Sequence, residues 1–289
     1  MRINTERCMG CGNCIKACPK QLLKIGEQKN EGGYYYLVNM NPESCVNCGE
    51  CELMCTADAI IARNEPSPIN IPSIKPIHPG CNFGVLRRVY TDIISKMNIQ
   101  DELVVFTQQG SNIGLNIDFR EYGHHDEQYY EDALKYKKEH PEKLVVLQIP
   151  TVYEADIEKN RQRFIALRDE NVTLLNTNMY FNADEDFTQM TSGGIDTLEE
   201  VNELGYASFI ARGNLRSTKN VRQFEKFFEK ALLNQRNNQS FSILELDVPC
   251  YYLLTNRNKE IMRAEKVTQI SQWFEENVIS IYDSRIIKE

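Results

Sequence analysis

The sequence predicts an α/β protein in two parts: a small cysteine-rich α+β domain, then a larger α/β domain with a mostly parallel sheet. Three observations predict it. Eight of the ten cysteines fall into two runs of identical spacing, between positions 8 and 55. Five of the ten prolines crowd into positions 66–79. Beyond them, helical and strand patterns alternate.

Residues 8–18 are CMGCGNCIKAC and residues 45–55 are CVNCGECELMC. Each is C-x2-C-x2-C-x3-C, and the offset is 37 residues at all four cysteines and at Gly12 and Gly49. An internal duplication is the simplest account. Between the halves, GGYYYLVNM predicts a strand entered from a Gly-Gly turn, with Tyr34, Tyr35 and Tyr36 alternating across it as packing residues. A [4Fe–4S] cube needs four thiolates converging on its corners, and a loop with cysteines at every third residue can wrap three of them. Structural zinc would use cysteines in widely separated pairs. Residues 1–65 resemble the bacterial two-cluster ferredoxins, in which the fourth cysteine of each run ligates the other cluster. The resemblance implies one cluster on Cys8, Cys11, Cys14 and Cys55, a second on Cys45, Cys48, Cys51 and Cys18, and one-electron transfer as the chemistry. Pro19 follows Cys18 as the family's run requires. Thr56 stands where the second proline would be, a mild departure because that residue ligates nothing.

The bulk composition agrees with this picture and excludes others. Apolar residues make up 42% and charged residues 26% of the 289, ordinary values for a globular chain. No apolar run approaches the roughly 20 residues that cross a bilayer, so membrane insertion is not expected. The first cysteine comes at position 8, which leaves no room for a signal peptide. A cytoplasmic chain with metal-bound cysteines, not disulfides, is therefore expected. The net charge of −8 is a poor match to nucleic acid or an anionic membrane.

PSPINIPSIKPIHPG cannot be helical and would make a poor central strand. It predicts an extended linker over 66–77, between a domain at 1–65 and another at 78–289. Then GVLRRVYTDIISKM carries apolar residues at helical spacing and ELVVF is a short buried strand. DEQYYEDALKYKKEH is a helix with an acidic start and a basic end, as the helix dipole favours. LVVLQI, VTLLN, ASFIA and FSILEL follow as further strands, each after a helical or mixed segment.

These elements carry a second resemblance. His78-Pro79-Gly80-Cys81-Asn82-Phe83-Gly84 resembles the C-P-G-C-G-H-G opening of the thiamine-diphosphate-binding β subunit of 2-oxoacid:ferredoxin oxidoreductases. NTNMY (176–180), MTSGG (190–194), YASFIARGNL (206–215) and VPCYY (248–252) resemble later segments of that family, in its order. The resemblance implies the thiamine-diphosphate-binding fold for 78–289. It also implies a multi-subunit complex of an anaerobe, with other oxidoreductase subunits and a redox protein as donor or acceptor.

The chain departs from that family where the cofactor is held. The family's G-D-G segment supplies an acid to the divalent ion, and its glycines let backbone N–H groups reach the diphosphate. The matching positions are Gln148-Ile149-Pro150-Thr151, with neither acid nor glycine. Pro150 also removes a backbone donor, and hard cations need oxygen ligands, preferably a carboxylate. Asn176 and Asn178 are then remnants of a diphosphate and metal site, and thiamine diphosphate is not expected. Glu154 and Asp156 fall in the following helix. The family's additional cluster maps to His78, Cys81, Ser111 and Cys250. Three readings stand there: a third iron–sulfur cluster with unusual ligands, a vestige with two small buried thiols, or a zinc or redox-active thiol site. Pro79, Gly80 and Gly84 suit a tight turn. His124 and His125 are read as a solvated helix start beside Asp126, and Trp273 as a core or interface residue. The function expected is an iron–sulfur electron-transfer subunit of an oxidoreductase related to the 2-oxoacid:ferredoxin enzymes. The alternatives are a catalytic β subunit that binds thiamine diphosphate unconventionally, and a maturation factor delivering low-potential electrons.

Overall fold

Continuous apolar runs such as Leu103–Phe106 and Leu144–Leu147 demand cover on both faces of a sheet, and the chain provides it. The structure is a computed structural model that describes residues 1–63, 79–108, 115, 117–123, 128–151, 157–178, 198, 202–239, 241–248 and 285–288.

The first 63 residues form two short antiparallel ladders around two loops. Strands β1 (Arg2–Ile3) and β4 (Ile60–Ile61) pair, as do β2 (Leu23–Lys29) and β3 (Tyr35–Asn39). Helices α1 (Asn13–Ala17) and α2 (Glu50–Leu53) follow the cysteine loops. The duplication is visible in the backbone. Gly12 and Gly49 each precede a short helix with φ of 81°, a conformation that costs glycine little and other residues much. Tyr35 and Tyr36 lie on β3, where Lys29 caps the Tyr35 ring and the Tyr36 hydroxyl meets Gln28.

The larger domain is a seven-stranded sheet in the order β11-β9-β10-β8-β7-β5-β6. Its strands are β5 (Leu103–Gln108), β6 (Asp118–Tyr122), β7 (Leu144–Thr151), β8 (Thr173–Asn178), β9 (Phe209–Asn214), β10 (Ser242–Asp247) and β11 (Arg285–Lys288). All pair in parallel except β11, which runs antiparallel to β9. Helices α3 (Asn82–Met97) and α6 (Thr218–Arg236) cover one face, and α4 (Gln128–Glu139) and α5 (Ile157–Leu167) cover the other. Alternate residues of β5 divide between two cores: Leu103 and Val105 join α3 and α6, while Val104 and Phe106 join Tyr129, Ala133 and Phe164. Val221, Phe224, Phe228, Ala231 and Leu232 form the buried stripe of α6. Phe228 meets Tyr90 of α3 edge-on at 4.9 Å, an arrangement the ring quadrupoles favour.

The expected α/β architecture with a mostly parallel sheet is present, and each predicted strand overlaps an observed one. The Pro-rich segment, His78, Ser111, His124, His125, Glu154, Asp156, MTSGG, Cys250 and Trp273 lie outside the described residues. One expectation is corrected. Pro79 and Gly80 do form a turn, with Gly80 at φ 73°, but Gly84 lies inside the first turn of α3. Its missing side chain serves a close contact, described next.

Candidate metal centres

Each cage is assembled from both halves of the repeat. Cys8, Cys11, Cys14 and Cys55 line one cavity of ≈ 330 Å³, its open mouth included, with Met9, Ile25, Leu37, Thr56 and Ile60 around them. Cys18, Cys45, Cys48 and Cys51 line a second of ≈ 350 Å³, with Leu22, Leu23, Val46 and Ala62. The walls are mostly apolar, with Thr56 in the first cage and Lys20 and Asn47 in the second, which suits a cluster held by thiolates. All nine cysteines among the described residues are free thiols. No three His, Cys, Asp or Glu side chains among the described residues close on the position of one ion.

Burial and mutual repulsion act on these thiols together. Desolvation pushes the Cys55 thiol up to about 12 and Cys51 up to about 11. It also raises Cys14 well above the usual thiol value, with Cys11, Cys55 and Cys8 adding repulsion. Four such thiolates require positive charge among them, and loading iron must displace their protons. Backbone amides already point at the sulfurs. Leu22 donates to Cys18 Sγ at 3.5 Å and Ala59 to Cys55 Sγ at 3.2 Å, a pair related by the repeat. Leu37 donates to Cys8 Sγ at 3.3 Å.

The two cages differ in exposure. Cys8, Cys14 and Cys55 are buried, whereas Cys48 is exposed and Cys18 and Cys45 are half-buried. The difference comes from the second domain, which packs on the first cage. A Cβ on Gly84 would sit 1.9 Å from the Thr56 carbonyl oxygen and 2.7 Å from its Cα, so only glycine permits this approach of α3. Leu53 and Met54 join the core formed by α3, α6 and the sheet. Ion pairs ring the contact, those of Asp58 with α3 buried and the others partly exposed. Asp58 receives both Arg87 and Arg88 of α3, with Arg7 at 3.6 Å. Arg63 grips Asp92 of α3 through two 2.8 Å hydrogen bonds, and Arg222 of α6 reaches Glu50. The backbone N–H groups of Ala62 and Arg63 donate to buried Glu52. On α6, burial and nearby Asp92 push the Glu225 carboxyl up to about 7.

Residues 7–59 match the family of 4Fe-4S dicluster domains. The dicluster domain thus accounts for both cysteine runs. No curated protein matches the chain. Among solved structures it resembles a 2-oxoglutarate:ferredoxin oxidoreductase from Magnetococcus marinus, whose structure holds 2-oxoglutarate, coenzyme A and succinyl-CoA. The identity is 12% and the TM-score 0.48, over 70% of this chain and 69% of that one. It also resembles an enzyme from Mycobacterium smegmatis described as thiamin diphosphate-dependent. There the identity is 13% and the TM-score 0.38, over 67% of this chain and 38% of that one. Among the described residues no helix is long and apolar enough to cross a membrane.

Gln148, Ile149, Pro150 and Thr151, the positions expected to match a cofactor anchor, form the carboxyl end of β7. Gln148 is fully buried there and accepts from the Tyr90 hydroxyl at 2.9 Å. Among the described residues β5 pairs with β7 from Leu103 to Thr107, and Pro150 stands beside Thr177 of β8 in the register. Asn176 stands beside Ile149 and Glu245, and Asn178 beside Thr151 and Asp247, in the strand register. The nearby carboxylates are already engaged. Glu245 is buried against Arg212, and Asp247 against Arg216. Of the four positions suggested for a third cluster, Cys81 alone is described. It is a buried residue at the N-cap of α3. Sequence reasoning missed Thr56 and Gly84 as site residues. The one signal was the missing proline after Cys55.

Proposed function

We propose that the chain is an iron–sulfur electron-transfer subunit of a multi-subunit oxidoreductase related to the 2-oxoacid:ferredoxin enzymes. Cys8, Cys11, Cys14 and Cys55 hold one [4Fe–4S] cluster, and Cys45, Cys48, Cys51 and Cys18 hold the other. The observation that carries the reading is the composition of the two cages, each lined by three cysteines of one run and the last cysteine of the other. Such clusters move single electrons, and the exposed cage gives a redox protein access to one of them.

The larger domain serves in this reading as a platform, not as a thiamine diphosphate enzyme. A divalent ion bridging to diphosphate needs a carboxylate. Positions 148–151 supply none, and Glu245 and Asp247 are neutralised by arginine. The other oxidoreductase subunits and a redox donor or acceptor are its partners. The test is anaerobic reductive titration of the purified chain, followed by denaturation and thiochrome assay. Uptake of about two electrons, one per cluster, without stoichiometric thiochrome is the expected result. One thiamine equivalent per chain refutes the platform.

A further inference from the structure

The two cages are copies of one repeat, yet one thiolate in the first has a side-chain hydrogen-bond donor that its counterpart lacks among the described residues. We propose that the Thr56 hydroxyl raises the reduction potential of the cluster on Cys8, Cys11, Cys14 and Cys55 and leaves the other cluster unchanged. This rests on the reading that cubes fill both cages.

Thr56 is fully buried, and its Oγ1 lies 3.7 Å from Cys11 Sγ. A thiolate bound to iron has no proton to give, so the hydroxyl donates. The repeat offset of 37 residues relates Cys11 to Cys48 and Thr56 to Pro19. Pro19 has no hydroxyl, and Cys48 is exposed. The amides of Leu22 and Ala59, in contrast, serve both cages in matched positions and cannot tell them apart.

The physical consequence follows from charge. Reduction adds one negative charge to a cube, and burial opposes it. Donors aimed at the sulfurs favour the reduced form. The first cage is the buried one, so burial alone would make its cluster the harder to reduce. Thr56 offsets that cost and keeps the buried cube within reach of electrons that arrive at the exposed one. The residue that departs from the ferredoxin run is therefore the one that offsets the burial of the first cage, and the second domain holds it in place by packing Gly84 against its carbonyl.

Anaerobic redox titration of the full chain, followed by electron paramagnetic resonance, tests this with Thr56→Val and Thr56→Ser. Valine keeps the shape and removes the donor. One of the two reduction steps should move to lower potential by about tenfold in its equilibrium constant, or about 59 mV for a one-electron step. The other step should stay, and Thr56→Ser should restore the parental value. Should Thr56→Val fail to retain its iron, Thr56→Ala is titrated with the same expectation. Steps that stay fixed or move together at full iron content overturn the proposal, as does a serine variant that behaves like valine. Those outcomes leave the two-cluster reading intact. A parent chain that never holds two clusters removes both.

Discussion

Gly84→Ala is expected to destabilise the chain by about 3 kcal/mol or more, near the top of the range for overpacking. The new methyl would fall 1.9 Å from a backbone oxygen and 2.6 Å from the carbonyl carbon of Thr56. No rotamer relieves an overlap with backbone, so α3 must move away from residue 56. That displacement strains the Asp58–Arg88 and Arg63–Asp92 pairs that cross the same boundary. Breaking a buried pair costs about 3–5 kcal/mol, so the loss spreads beyond one methyl. Thermal denaturation followed by cluster absorbance and by far-ultraviolet circular dichroism measures it. The cluster signal should bleach well below the parental temperature. An alanine variant with parental stability would show that the helix does not press on the dicluster domain.

Removing Cys55 should empty the cage whose other ligands lie some forty residues upstream. Cys55→Ala is expected to hold about four irons per chain instead of about eight, and Cys18→Ala the same number from the opposite cage. Pairing the variants reveals the wiring. Adding Cys11→Ala to Cys55→Ala should cost no further iron, because both residues serve one cube. Adding Cys48→Ala to Cys55→Ala should strip the chain. If each run instead held its own cluster, the two double variants would exchange results. Anaerobic iron assay of reconstituted protein reads the outcome directly.

The extent to which the chain could be understood in advance varied with how local the physics is. Ligand spacing is local: a cube dictates where three thiolates must fall in a loop, so the two runs were legible before any fold was known. Buried parallel strands are nearly as local, because β5 and β7 must be apolar on both faces. The edge strands were not legible. β6 is Asp118-Phe119-Arg120-Glu121-Tyr122, with three charges and one half-covered face, and β11 pairs with β9 from more than seventy positions away. Thr56 looked like a neutral departure because its meaning depends on Cys11 and Gly84, residues brought to it by tertiary packing. Gly84 looked like a turn residue for the same reason. The anchor positions 148–151 were recognisable by what they lack, and the buried ion pairs of Glu245 and Asp247 supply the complementary fact that no sequence pattern announces.

The central claim is that eight cysteines cage two iron cubes, and metal and sulfide stoichiometry of anaerobically purified chain tests it most directly. The account predicts about eight irons and about eight acid-labile sulfides per chain, four of each per cluster, without zinc. Two zinc ions with no sulfide, in a chain whose thiols are all protected from alkylation, would contradict it.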